Sequence, residues 1–340
     1  MDDRNLLLEV KDLKTYFFLE EGTVRAVEGA SFAVMRGETL GIVGESGCGK
    51  SVTALSILRI VPDPGRIVEG EIIYHRRREE NGRFMLTESV KLTDLNPRGP
   101  RIRAIRGAEI AMIFQEPMTC LSPVHRIGEQ IKETFVLHQG ANKLEARERT
   151  IAILNRVGMP MPSQTIDSYP HQLSGGMRQR AVIAMALSCD PSLLIADEPT
   201  TAVDVTTQAQ IMDLMRNLQE EMGMTIVFIT HNLGIIAEMT KRVVVMYLGL
   251  VVESADVDSI FYDPKHPYLR ALLHSIPRIG IKSGRRLDPI KGVVPDPYNV
   301  PSGCPFHPRC ANFMAGRCDE EEPKWIAVEP EHYVRCHLYD

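Results

Sequence analysis

Gly44-Glu45-Ser46-Gly47-Cys48-Gly49-Lys50-Ser51 follows the pattern G-x-x-x-x-G-K-[ST]. Glycines let a backbone fold tightly enough for successive N–H groups to point at phosphate oxygens. The strand-like run Thr39–Val43 precedes this loop and a helix-like run, Val52 to Ile60, follows it. A helix N-terminus would therefore add its dipole to the anion site. In such a loop Lys50 reaches the β- and γ-phosphates of a nucleotide, and Ser51 holds Mg²⁺. Cys48 reads as a small loop residue.

Three further features narrow the chemistry. Asp197 and Glu198 end the apolar run Leu193–Ala196. There Asp197 can meet Mg²⁺ through water, and Glu198 can polarise an attacking water. Ser174-Gly175-Gly176 opens a helical run and offers N–H groups and a hydroxyl to an anion. The same residues also fit a plain helix cap at Ser174, and the residues alone leave both readings open. A second phosphate-binding helix start, well removed in sequence from the first, suggests a nucleotide held between two chains. Gln115 and His231 stand at the ends of strand-like runs, either as capped termini or as sensors of the γ-phosphate.

The elements that must position these residues are legible as four apolar runs, Thr39–Val43, Ile110–Phe114, Leu193–Ala196 and Thr225–Thr230. They are apolar throughout rather than alternating, as in strands buried on both faces of a parallel sheet. Gln208 to Gly223 reads as a helix ended by its glycine. The fold class is α/β. Eleven of the 22 prolines fall in the last 80 residues, which disfavours long regular elements there. A boundary near Phe261 separates a domain over 1–260 from an extension over 261–340. Arg76 to Pro100 reads as a polar surface insertion. Within it, Arg76-Arg77-Arg78 is answered by Glu79-Glu80 as a solvated face.

Composition sets the class. The chain has 340 residues, a hydrophobic share of 44%, a charged share of 24% and a net charge of −5. These values suit a globular protein and argue against a general nucleic-acid binder. The N-terminus lacks a basic stretch followed by an apolar one, so no signal peptide is expected. No uncharged apolar run approaches the roughly 20 residues of a spanning helix. A cytosolic chain keeps its thiols reduced, where clustered cysteines suggest metal before disulfide.

Together these residues resemble the ATP-binding subunit of an ABC transporter. Walker A, Gln loop, LSGG signature, Walker B, D-loop and switch histidine follow in order over roughly residues 6–255, and Leu173-Ser174-Gly175-Gly176-Met177-Arg178-Gln179-Arg180 is very specific. The resemblance implies a P-loop core with antiparallel β and helical subdomains, the helical one over roughly 116–190. It implies ATP and Mg²⁺ bound by Gly44 to Val52, with Ser51, Gln115 and Asp197 at the metal. Gln115 also meets the attacking water. Ser174, Gly175, Gly176 and Gln179 belong to the signature that closes on the opposite protomer's nucleotide. Ala202-Val203-Asp204 is the D-loop, and Glu198 and His231 support hydrolysis. Phe17 or Tyr16 would stack on adenine.

One Walker A and one signature imply a partner ATPase subunit. Finer likeness points to the oligopeptide/dipeptide importer branch. It lies in Glu116-Pro117-Met118, Leu121-Ser122-Pro123-Val124, Ile127-Gly128-Glu129-Gln130-Ile131, Pro199 to Thr206 and His266 to Leu273. That branch implies a related chain as the second ATPase, two transmembrane permeases, an extracytoplasmic solute-binding protein and a peripheral place on the cytoplasmic face of the membrane. Ser122 stands where the branch usually has Asn, and the insertion after Tyr74 is longer than usual. Importers of nickel, opines or oligosaccharides share this subunit type, and soluble ABC ATPases of DNA repair or translation form a second alternative.

Cys304, Cys310, Cys318 and Cys336 lie in the extension without a C-x₂-C pair. From spacing alone they suit a [4Fe–4S] cluster or zinc, with His307, His332 and His337 as spare ligands. A proline-rich unit with one tryptophan, Trp325, buries little apolar surface and is expected to need such a staple. The importer branch carries a [4Fe–4S] cluster here, which makes the cluster the leading expectation.

Overall fold

Each of the four apolar runs forms a strand in the computed structural model of the chain, which describes residues 5–80, 83–116, 120–201, 203–275 and 290–340. Two units are distinct. One comprises Met1–Leu7, Val34–Thr39 and His75–Ile229; the other comprises Leu8–Ala33, Leu40–Tyr74 and Thr230–Asp340. Pro117, Met118 and Ala202, which carry part of the family likeness, lie outside the described residues.

In the first unit, Ile110–Ile113, Leu193–Asp197 and Thr225–Ile229 run parallel. Their registers pair Ile110 with Leu193 and Asp197 with Ile229. Every residue of the latter two strands is buried, which explains the lack of alternation. Asp197 ends its strand, the edge at which open α/β sheets present their ligands. Three helices, Ile127–Gln139, Lys143–Arg156 and Gly175–Leu187, pack on one another within the span expected to be helical. The second of them starts where Asn142 Oδ1 accepts from the N–H groups of Leu144 and Glu145, each at 3.1 Å.

The helix expected from Gln208 begins at Val205, because Asp204 caps it. It ends, as expected, at Gly223, whose φ of 59° only glycine adopts freely. Within the expected insertion, Arg83–Lys91 is a strand. Arg76 is met by Glu109, 2.8 Å from its Nε, and by Glu88, 2.9 Å from its Nη1; the side chains of Arg77, Arg78, Glu79 and Glu80 lie outside the described residues.

In the second unit, Leu6–Leu19 pairs antiparallel with Gly65–Glu80, from Leu8–Tyr74 to Phe17–Gly65. Thr39–Val43 runs parallel to Arg242–Tyr247, which pairs antiparallel with Leu250–Asp256. The extension then adds two strands. His332–Arg335 pairs with Leu250–Asp256 through Glu253–Val334 and Ser254–Tyr333, and Trp325–Glu329 completes a hairpin. Sheet pairing thus crosses the boundary expected near Phe261.

The extension is also fastened by a buried carboxylate and an aromatic core. Glu253 is fully buried and accepts from Lys265 N at 2.8 Å, His266 N at 2.6 Å and His332 Nε2 at 2.8 Å. Tyr247, Tyr268 and Phe306 are all buried, with ring centroids 4.7 to 5.4 Å apart. Such geometry adds attraction beyond the area buried.

The metal staple is therefore a correction. Cys304, Cys310, Cys318 and Cys336 are free thiols around one small cavity. Among the described residues, no group of three or more His, Cys, Asp or Glu side chains is arranged to hold a metal ion. The iron–sulfur cluster is withdrawn on that finding, and zinc with it. Burial pushes the Cys304 thiol up to about 12 and the Cys336 thiol up to about 11, and it raises Cys310 as well. The apolar surface expected to be missing comes from Tyr247 and its strand, which lie before the expected boundary.

His266 makes this packing sensitive to acid. It is fully buried against Phe306, and its Nδ1 accepts from Tyr268 N at 3.0 Å, capping the helix Pro267–His274. Burial pushes its imidazole down from 6.5 to about 3, against an opposing hydrogen bond to the Arg335 backbone. The unfolded chain binds a proton in that window and the folded chain does not, so stability falls as pH drops below about 6.5. We predict that the unfolding free energy from urea titration falls between pH 7 and pH 5, by up to about 1.4 kcal/mol per pH unit. His266→Asn, which retains an acceptor for the helix cap, should flatten that slope; an unchanged slope would place the acid sensitivity elsewhere.

Candidate functional site

The glycine-rich loop lies in the second unit, between Thr39–Val43 and the helix Lys50–Ile57. Two of its glycines are required by space. A Cβ at Gly44 would stand 2.2 Å from Met246 O, and one at Gly49, where φ is +98°, would stand 2.2 Å from Ala26 O. Gly47 has φ of +79° and open space around it. Ser46 and Gly47 are exposed at the tip, whereas Ser51 and Val52 are half-buried on the first turn of the helix. Lys50 is only 5% exposed, and its Nζ donates to Gly44 O at 2.8 Å and Glu45 O at 3.0 Å. The loop is thus a pre-bent cradle whose cation is drawn across its mouth, the arrangement an oligophosphate requires.

Cys48 is packed inside the loop. It is buried, its Sγ lies 2.6 Å from where a Gly44 Cβ would be, and burial raises its thiol against the opposing pull of Lys50.

The expected catalytic carboxylate lies in the first unit. Glu198 follows its strand with φ of 46°, in the left-handed region that side chains rarely adopt. Such a conformation costs on the order of 1–3 kcal/mol and persists where its surroundings impose it. Here Glu198 N donates to Ile229 O at 2.8 Å. The turn carries the carboxylate out of the buried strand to meet Gln115 Nε2 at 3.1 Å and Thr201 Oγ1 at 2.9 Å. Gln115 and Glu198 were expected separately; the structure brings them together. Asp197, one residue earlier, is 3% exposed.

Ser174 adopts the cap geometry that the sequence left open, its Oγ accepting from Met177 N at 3.3 Å. That cap takes the third N–H of Gly175–Leu187 and so does not conflict with an anion at the first two. Ser174 and Gly175 are exposed, and a Cβ at Gly175 would meet nothing within 4 Å. A Cβ at Gly176 would stand 2.8 Å from Thr207 Cγ2. Thr207 in turn donates to Asp204 from its N at 2.9 Å and its Oγ1 at 2.7 Å. These bonds hold the Asp204 carboxyl below its usual range. The signature helix and the residues after the D-loop are therefore packed as one piece. Gln179 is set apart, 1% exposed on the buried side of its helix.

Tyr16 and Phe17 differ. Tyr16 is engaged, with its Oη on Glu28 at 2.8 Å and the Arg25 guanidinium 5.8 Å from its ring. Phe17 lies over Gly65 and shares a strand face with Thr15, whose hydroxyl is 2.9 Å from Ser56 on the helix after the cradle. His231 is exposed just before the helix Leu233–Met239.

A phosphate cradle, a strand-end carboxylate with a glutamine on it and a second glycine-opened helix define a nucleotide-hydrolysing cassette, and the comparisons agree. Residues 27–201 match the family described as ABC transporter, and residues 252–318 match the oligopeptide/dipeptide transporter C-terminal region. The chain belongs to the ABC transporter ATP-binding family. The chain is 49% identical over 335 residues to the probable peptide ABC transporter ATP-binding protein y4tR of Sinorhizobium fredii, covering 98% of this chain and 95% of that protein. The oligopeptide transport ATP-binding protein AppD of Bacillus subtilis is 47% identical over 335 residues, covering 98% and 97%. Among solved structures, the dimeric bacterial ABC transporter cassette MJ0796 superposes with a TM-score of 0.62 and 27% identity, over 74% of this chain and 99% of that one. No helix among the described residues is long and apolar enough to cross a membrane.

Sequence reasoning did not anticipate Thr201 on Glu198, Thr207 behind Gly176, or Tyr268 and Arg309 on Glu45. Thr201 lies three residues from Glu198, a spacing that could have signalled it; no such signal links Thr207 to Gly176. Nothing local announces Arg309.

The cradle's glycines give a direct test. Gly49→Ala should raise the ATP Kd at least tenfold, about 1.4 kcal/mol, in equilibrium dialysis with the full chain. Wild-type affinity would show that the close approach to Ala26 O is not needed.

Proposed function

We propose that this chain is the ATP-hydrolysing subunit of a membrane importer of peptides. The observation that carries the reading is the pairing of an ABC segment with an oligopeptide/dipeptide transporter C-terminal segment in one chain. Relatives named for peptide, oligopeptide and dipeptide transport align over nearly its whole length. In this reading, 1–260 is the ATPase domain, with 116–190 as its helical part, and 261–340 is an importer-type extension.

The cradle fits a nucleotide because its backbone excludes side chains at Gly44 and Gly49 while it keeps a buried ammonium. Gly44 to Val52 wrap the phosphates, and Lys50 exchanges loop carbonyls for the β- and γ-phosphate oxygens. Phe17 stacks on adenine, since Tyr16 is committed to Glu28. Ser51, Asp197 and Gln115 would hold Mg²⁺, which would supply positive charge against that developing on the phosphates. Glu198 takes the proton of the attacking water, oriented by Gln115 and Thr201, and His231 supports the γ-phosphate. Preorganised N–H groups and Lys50 meet the transition-state charge.

Ser174, Gly175, Gly176 and Asp204 serve the nucleotide of a second ATPase subunit, with Gln179 supporting the helix from behind. The partners are a related ATPase chain, two transmembrane permeases and an extracytoplasmic solute-binding protein. This chain sits peripherally on the cytoplasmic face, and closure of the ATPase pair drives the permeases to alternate their access.

Two experiments test the reading. Glu198→Gln should slow ATP hydrolysis by about 10²–10⁴-fold with ATP binding retained; a normal rate would remove Glu198 from the role of base. Tagged chain drawn from native membranes in mild detergent should bring two multi-span permeases, a second ATPase and a solute-binding protein, identified by mass spectrometry. Recovery without any membrane partner would contradict the importer reading.

A further inference from the structure

Glu45 is the second residue of the phosphate cradle, and each of its polar groups is taken. Its carbonyl accepts from Lys50 Nζ at 3.0 Å. Its N–H donates to Tyr268 Oη at 2.9 Å. Its carboxylate receives both arms of Arg309, Nη1 at 2.7 Å and Nη2 at 3.1 Å. Two of these three partners belong to the extension, and Arg309 lies 264 residues away in the chain.

This is not a surface ion pair. The Arg309 side chain is 3% exposed and that of Glu45 is 24% exposed. The guanidinium is oriented further by Lys291 O at 3.3 Å from Nε and Tyr247 Oη at 3.4 Å from Nη1. A bidentate fork fixes the direction of a carboxylate as well as its distance. The Glu45 N–H shares its peptide plane with Gly44 O, so the Tyr268 bond holds that carbonyl on Lys50 Nζ at 2.8 Å, while the fork on the side chain fixes the Glu45 Cα. Gly44 O is one of the two carbonyls that hold the lysine ammonium across the cradle.

We propose that Arg309 and Tyr268 are positioning residues for nucleotide binding: the C-terminal extension clamps Glu45 and thereby pre-sets Lys50 and the cradle for phosphate. They act through Glu45 and touch no nucleotide. The inference rests on reading residues 44–51 as the nucleotide's phosphate loop. A cradle held in its binding shape loses less freedom when phosphate arrives, so the clamp should act on affinity more than on the chemical step. The extension would then be a fastening for the ATPase site and not merely an appended module.

The test uses the full chain, with ATP affinity measured by dialysis in the Glu198→Gln background and turnover measured in the otherwise native chain. Arg309→Gln should raise the ATP Kd and KM about tenfold while kcat changes less than about threefold. Arg309→Lys, which keeps the charge but cannot fork, should fall between that variant and wild type. Adding Glu45→Gln to Arg309→Gln should cost less than the sum of the two singles, the signature of direct coupling. A purely structural Arg309 would lower the melting temperature and the active fraction but leave the Kd of folded chain within twofold; that result overturns the proposal.

Should Arg309→Gln not fold, Tyr268→Phe removes one acceptor and should raise the Kd about threefold on the same principle of lost preorganisation. An unchanged Kd there overturns the proposal as well. Lys50→Ala separates the two claims. If it abolishes ATP binding while Arg309→Gln has no effect, only the clamp fails. If it binds ATP normally, the phosphate-loop reading itself fails.

Discussion

An ammonium that is only 5% exposed must be paired, and Lys50 meets that constraint with the carbonyls of Gly44 and Glu45. Much of the second unit follows from keeping those carbonyls in place. Gly44 must approach Met246 O more closely than any Cβ allows, and Gly49 must do the same to Ala26 O. The strand Thr39–Val43 delivers the loop in register beside Arg242–Tyr247, the strand that carries both Met246 and Tyr247. A cation held by neutral carbonyls has not yet met its strongest possible partner. An incoming phosphate can therefore displace them favourably.

The extension continues this construction. It supplies no long element, yet it is tied down by strand pairing, by the buried Glu253 and by the Tyr247–Tyr268–Phe306 cluster. An independent unit of this size and composition would lack a core. This one shares the core of the strand on which it packs. That sharing explains how the described residues of the segment pack without the metal staple its composition suggested.

What the sequence revealed and what it hid divide along contact range. Strand positions were legible because residues such as Leu194 and Val227 are buried on both faces, which leaves an unbroken apolar run. The cradle was legible because its glycines answer purely local demands. Helix starts were less so: Asp204 moves one start three residues ahead of its apolar pattern. Arg76 meets Glu88 and Glu109, partners that no local pattern signals. The cysteines cluster in sequence and around one cavity, but spacing cannot report whether side chains converge on an ion. The contact of Arg309 with Glu45 was beyond reach, since no periodicity or motif encodes a pair 264 residues apart.

The central claim is that nucleotide in this chain's cradle is closed by the signature of a second ATPase. The most direct measurement is vanadate-trapped photocleavage in the membrane-reconstituted assembly, with fragments mapped by mass spectrometry. Vanadate bound as the γ-phosphate cuts backbone adjacent to it on irradiation. The account predicts paired cuts, one within Gly44–Ser51 of this chain and one within the facing subunit's glycine-opened helix. The reciprocal cut should fall near Ser174 of this chain. Cleavage confined to the cradle, with both signatures intact, would contradict it.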